Sequence, residues 1–115
     1  MTTDHPTKLD PGARHVTIIN TYVVAPDHAE ALLDLLVRAT EDTLRHMPGF
    51  VSANFHLSED RTQLVNYAQW QNRGAIAGAR DNPSVAALIR DASQIADSFS
   101  PVEYELRRSI AGTAP

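Results

Sequence analysis

The sequence predicts an α+β fold in the order β-α-β-β-α-β, a four-stranded antiparallel sheet with its helices on one face. Three observations predict it: a β-branched opening run, two apolar stripes at helical spacing, and a central hairpin. In Phe50 to Trp70, FVSANFHLSEDRTQLVNYAQW, two period-two runs flank a polar turn. Right-handed crossovers close this order into the ferredoxin-like split βαβ arrangement.

Residues 1–14, with Pro6, Pro11 and Gly12 among polar neighbours, read as a flexible N-terminal arm that could lie across a neighbouring molecule. Residues 15–111 form one domain and 112–115 a fraying tail. Val16 to Val24 is the first strand, placing Asn20 among Val16, Ile18 and Tyr22 on one of its two faces. Ala25-Pro26 ends it, Asp27 caps a helix with Glu30 three residues on, and the helix runs to about Met47. Ala29, Leu32, Leu33, Leu36, Thr40, Leu44 and Met47 make its apolar stripe, and Pro48-Gly49 stops it.

In the hairpin Val51, Ala53, Phe55 and Leu57 alternate with Phe50, Ser52, Asn54 and His56; Leu64, Asn66, Ala68 and Trp70 alternate with Val65, Tyr67 and Gln69. Asn72 to Arg80 reads as one or two irregular helical turns. The second helix carries Val85, Leu88, Ile89, Ala92, Ile95, Ala96 and Phe99 as its stripe. Ser100-Pro101 ends it, and Val102 to Ile110 is the last strand. Apolar residues occupy both faces of the strands, so the face without helices calls for a second sheet. The expectation is a homodimer whose two sheets close into one α/β barrel.

A chain of 115 residues with net charge −4 is one domain and gives no electrostatic reason to expect nucleic acid or an anionic membrane. It has no eighteen-residue apolar run and no secretory h-region, so no membrane span is expected and the expected compartment is the cytoplasm. With no cysteine, thiolate nucleophiles, iron–sulfur clusters and thiolate zinc sites are excluded. The five histidines have no metal-ligand spacing, and dinucleotide, Walker, G-x-S-x-G and H-E-x-x-H motifs are missing. No metal is expected.

Asn54, His56, Asn66, Tyr67 and Trp70 stand out because a buried asparagine must satisfy several hydrogen-bonding positions. They fit a lined cavity, or alternatively a structural network of strand ends and core aromatics.

P-G-F-x-S-A-x-x-H over Pro48 to His56, followed by V-N-Y-A-Q-W over Val65 to Trp70, resembles the antibiotic biosynthesis monooxygenase family. The pattern is most similar to its small hydroxylases of aromatic, anthrone-type polyketides. That resemblance implies a dimeric α/β barrel and oxidation of an aromatic substrate by O2 without metal, haem or flavin. It implies catalytic roles for Asn66, Trp70 and His56: the first two hold the substrate's oxygen functions, and His56 or a water accepts the proton. Tyr67, Arg90, Asn20, Phe55 and Ile76 make up the expected substrate-binding set, with Arg90 or its neighbour Ile89 near a family arginine. The family carries a tyrosine, proposed as proton donor, six residues past the tryptophan; this chain has Ile76 there.

Two alternatives accompany this reading. Ile76 favours a non-catalytic dimeric protein that binds an aromatic metabolite. Asn20 and Trp70 also resemble positions in haem-degrading oxygenases, which need an axial histidine that Gly74 to Asp81 does not contain.

Overall fold

The computed structural model describes residues 7–114. Four strands, β1 (Val16–Val23), β2 (Phe50–Leu57), β3 (Gln63–Trp70) and β4 (Ser98–Glu105), form one antiparallel sheet in the order β2-β3-β1-β4. Three α-helices, α1 (Ala29–Asp42), α2 (Arg73–Arg80) and α3 (Pro83–Ile95), accompany it. This is the expected ferredoxin-like arrangement, with one helix more than the β-α-β-β-α-β reading allowed.

The additional helix has a local cause. The Asn72 side chain accepts the Ala75 main-chain N–H at 2.8 Å, capping α2, and Asn82 does the same for Ser84 at 2.8 Å, with Pro83 as the first residue of α3. Each short segment therefore starts as a regular helix. At α1 the order is different. Pro26–His28 make a 3-10 turn, the helix begins after His28 without a side-chain cap, and Glu30 pairs with Arg61 in the hairpin turn instead of closing a capping box with Asp27. Thr43, at φ −129°, breaks the helix before a further 3-10 turn over Leu44–His46.

Cross-strand register sets the core. On the helix-facing side the paired rows are Val16–Trp70, Ile18–Ala68, Asn20–Asn66 and Tyr22–Leu64. Ile18, Ala68 and Trp70 pack with Ile76 and Ala79 of α2 as one apolar cluster. Tyr22 and Leu64 pack with Leu32 and Leu36 of α1 and Ala92 of α3 as another. The row between them is polar.

Two parts of the sheet depart from the sequence reading. The pairing of β2 with β3 slips between Phe50 and Ser52, so Val51 is an extra residue. This bulge turns Phe50 onto the same side as Ala53, where its ring meets Trp70 edge-on at 5.3 Å. The last strand starts at Ser98 rather than Val102 and ends at Glu105 rather than Ile110. Helix α3 stops at Ile95, Asp97 donates its N–H to the Val23 carbonyl at 2.7 Å, and Phe99 stacks on Tyr22 at 4.8 Å. Pro101 does not end this strand because β4 is an edge, where a missing N–H leaves no ladder partner unpaired.

Thr7 and Lys8 lie against the sheet face that lacks helices. Thr7 Oγ1 donates to Asn54 Oδ1 at 2.8 Å, and Gln69 Nε2 donates to the Lys8 carbonyl at 2.9 Å. Residues 1–6 of the expected arm lie outside the described residues.

Candidate functional site

Alternation along β3 sends Asn66, Ala68 and Trp70 toward the helices and Val65, Tyr67 and Gln69 the other way. Between sheet and helices a cavity of about 150 Å³ opens above the Asn20–Asn66 row. Ile18, Ala68 and Trp70 bound it at one end and Phe99 at the other, under Ile76 and Ala79 of α2 and Val85 and Leu88 of α3. Larger concavities exist. One of about 710 Å³ lies between residues 10–15 and β4, but Asp10, Arg14, Gln69 and Glu103 make it a polar surface basin. The smaller cavity is the candidate site because apolar walls there surround free hydrogen-bond donors.

Asn66 supplies one of them. Its Oδ1 accepts the main-chain N–H of Asn54 at 3.1 Å, which fixes the amide's orientation and leaves Nδ2 as the free end. Among the described residues, neither Nδ2 of Asn66 nor the side-chain amide of Asn20 has a hydrogen-bond partner, and the same holds for the indole N–H of Trp70. No buried side-chain nitrogen or oxygen among the described residues lacks a partner, so these groups open onto accessible space. The arrangement is an amide pair and an indole N–H around apolar walls, able to hold an oxygen-bearing aromatic ring and to stabilise negative charge on that oxygen.

Of the expected site residues, Asn66, Trp70, Asn20 and Ile76 come together here. Ile76 is buried against Trp70 and Ala79, so the position that carries a tyrosine in the resembling hydroxylases is an apolar wall. Phe55 shares the face but packs against the cluster of Tyr22, Leu32 and Leu64. His56 and Tyr67 lie on the opposite side of the sheet, paired with Val65 and Asn54, and His56 is exposed. The bulge at Val51 leaves the alternation from Ser52 onward unchanged, so no local adjustment brings His56 to the cavity. Arg90 is exposed and outside the lining, whereas Ile89 lines it. Asn54 belongs to a structural network: its Nδ2 donates to the Tyr67 carbonyl at 3.0 Å, and Ser52 Oγ donates to Gln69 Oε1 at 2.8 Å.

Sequence reasoning missed Arg80, Thr40, Leu44, Ala53, Phe99 and Pro101 in the lining. For Arg80 a signal existed, since Ile76, Ala79 and Arg80 stand at i, i+3 and i+4 on one helical face. For Phe99 and Pro101 the misplaced start of β4 hid it.

Among the described residues no group of three histidine, aspartate or glutamate side chains could hold a metal ion, and no helix is long and apolar enough to cross a membrane.

Comparison with known proteins agrees with this fold. Tetracenomycin-F1 monooxygenase of Streptomyces glaucescens is 38% identical over 107 residues, 93% of this chain and 95% of that protein. A crystal structure of a monooxygenase from the gene ActVA-Orf6 of Streptomyces coelicolor, in complex with nanaomycin D, superposes with a TM-score of 0.78 at 28% identity, covering 89% of this chain and 96% of that one. SnoaB, a cofactor-independent oxygenase from Streptomyces nogalater, shares the fold at a TM-score of 0.72 and 22% identity, over 86% of this chain and 99% of that one. The family model for antibiotic biosynthesis monooxygenase matches residues 15–91. With that match and a relative of this identity across nearly its whole length, the chain belongs to the antibiotic biosynthesis monooxygenase family.

Proposed function

We propose that the protein is a cofactor-independent monooxygenase that oxidises an aromatic polyketide of anthrone or quinol type with O2 to a quinone. The observation that carries this reading is the fixed amide of Asn66 together with the indole of Trp70, two neutral donor groups lining one apolar cavity. A cavity of about 150 Å³ accepts roughly one aromatic ring. Seated there, the ring's oxygen meets Nδ2 of Asn66 and the N–H of Trp70, with Asn20 beside them.

An anthrone methylene can lose a proton to give a carbanion whose charge is delocalised onto that oxygen. Donors aimed at the oxygen stabilise the anion without reorganising during the reaction. The anion passes one electron to O2, and the two radicals combine at carbon as a peroxide. Loss of the second C–H proton with cleavage of the O–O bond leaves a carbonyl and water. One oxygen atom enters the product, the other leaves as water, and no external reductant is consumed. The lining contains no side-chain base, and His56 stands on the other side of the sheet, so water at the cavity mouth is the proton acceptor in this reading.

Val23, Val102 and Tyr104, exposed to 40%, 42% and 50%, lie on the helix-free face. They support a homodimer closed sheet against sheet. Sedimentation should give twice the 12.6 kDa chain mass, and Val102→Asp should shift it toward the monomer.

The reaction is tested with ¹⁸O2 and an anthrone such as dithranol. One labelled atom in the quinone and the other in water is expected. Ile76, an apolar wall with no proton to give, favours a second reading as a carrier of aromatic metabolites. Stabilisation of the protein by the anthrone, with no labelled product above the spontaneous rate, would select it.

A further inference from the structure

Arg80 is the one ionisable side chain in the lining of the cavity. It closes α2, one helical turn beyond Ile76, and its side chain is 56% exposed, so it stands where the cavity opens to solvent. Ile89 and Pro101, also exposed, share that opening. The nearest acid is Glu103 on β4, and it is already engaged: Arg73 Nε donates to Glu103 Oε1 at 3.3 Å. Arg80 Nη2 lies 3.7 Å from Glu103 Oε2, beyond hydrogen-bonding distance. Two guanidinium groups around one carboxylate leave a local charge of +1, on a chain whose net charge is −4.

The cavity holds about one ring, so the remainder of a polycyclic substrate must pass through this opening. We propose that Arg80 recognises a carboxylate carried by the substrate on the part that protrudes, and so selects acidic polycyclic aromatics over neutral ones. The inference rests on the oxygenase reading for the identity of the ring, but its chemistry is independent of turnover. A guanidinium offers two parallel N–H donors that match a carboxylate, and an apolar surround strengthens the pair. Arg80 is a positioning residue: it holds the far end of the molecule and fixes which ring atom meets Asn66 and Trp70.

Trp70 is the only tryptophan in the chain and lines the cavity, so its fluorescence reports occupancy directly. The probes are anthraquinone-2-carboxylate and the neutral anthraquinone-2-carboxamide, neither of which carries a methylene to oxidise. The wild-type protein should bind the acid about 10- to 100-fold more tightly than the amide. Arg80→Gln should bring the two affinities together, while Arg38→Gln, which removes the same charge from the exposed side of α1, should keep them apart. Equal affinities in the wild type, a preference that survives Arg80→Gln, or no quenching by either probe would each overturn the proposal. Dithranol oxidation serves as the separate check. Turnover without any acid preference rejects the Arg80 assignment alone, and acid preference without turnover rejects the oxygenase reading alone.

Discussion

The Asn66 side chain accepts a main-chain hydrogen bond from Asn54 on the neighbouring strand, Oδ1 to N at 3.1 Å, and this contact decides which end of the amide faces the cavity. An unanchored asparagine could present either its oxygen or its nitrogen. Here the sheet consumes the acceptor and leaves the donor. The same strand pairing places Asn20 directly opposite, between the Ile18–Ala68 and Tyr22–Leu64 rows, so a polar seam divides two apolar clusters.

Asn66→Asp keeps the shape and the bond from Asn54 but replaces the donor with a carboxylate oxygen. The turnover number on an anthrone should fall about 100- to 1000-fold, the usual effect of removing one oxyanion donor. Asn66→Ala removes the acceptor as well and should cost an additional ~1 kcal/mol of stability. Comparing kcat with urea midpoints for the two variants separates the roles; equal kcat for Asn66→Asp and wild type would remove Asn66 from the chemistry.

Trp70→Phe preserves an aromatic ring against Phe50 and Ile76 but deletes the indole N–H. The account predicts a drop in kcat of about 10-fold or more. The melting temperature should move far less than in Trp70→Ala, which empties part of the cluster of Ile18, Ala68 and Ile76. Unchanged kcat in Trp70→Phe would leave Trp70 a purely structural role.

Tyr22 is buried beneath α1 against Phe99, and burial pushes its phenol up from 10.0 to about 12. The folded chain therefore keeps a proton that the unfolded chain gives up near pH 10. Stability from this group is intact below pH 10, declines as pH rises toward 12, and levels off above it, a change on the order of 2–3 kcal/mol. Urea unfolding at pH 9 and pH 11.5 measures it. In Tyr22→Phe this part of the decline should vanish.

Gly49 sits at φ +83°, where a side chain is disfavoured, and a Cβ added there would stand 2.3 Å from the Cβ of Ala75 on α2. Gly49→Ala should lower stability by about 2–4 kcal/mol, combining the backbone penalty with displacement of the helix. Because α2 carries Ile76, Ala79 and Arg80 over the cavity, catalysis should weaken together with thermal stability. A variant with a normal melting curve would contradict this close approach.

Much of this was legible in the residues, and the exceptions have definite causes. Period-two alternation placed Asn66 and Trp70 on one face, and the helical stripe from Ala29 to Leu36 located α1. Alternation also puts His56 and Asn54 in the opposite set to Ala53 and Phe55; residue type groups His56 with the lined cavity against that alternation, and the resemblance then gives it a catalytic role. The bulge at Val51 has no signature in the sequence, so strict alternation puts Phe50 on the wrong side of β2. Proline at 101 reads as a stop, yet an edge strand tolerates it, and only tertiary pairing with Asn20 shows that β4 is an edge. The open hydrogen-bond positions that define the site depend on which groups the strands consume, and sequence spacing does not carry that information.

Oxygen uptake by chelator-treated, metal-free protein supplied with dithranol tests the central claim most directly. The account predicts consumption above the spontaneous rate, one O2 for each quinone formed, insensitive to chelator and lost in Asn66→Asp. Uptake that stays at the spontaneous rate, or that returns only when a metal or flavin is restored, would contradict it.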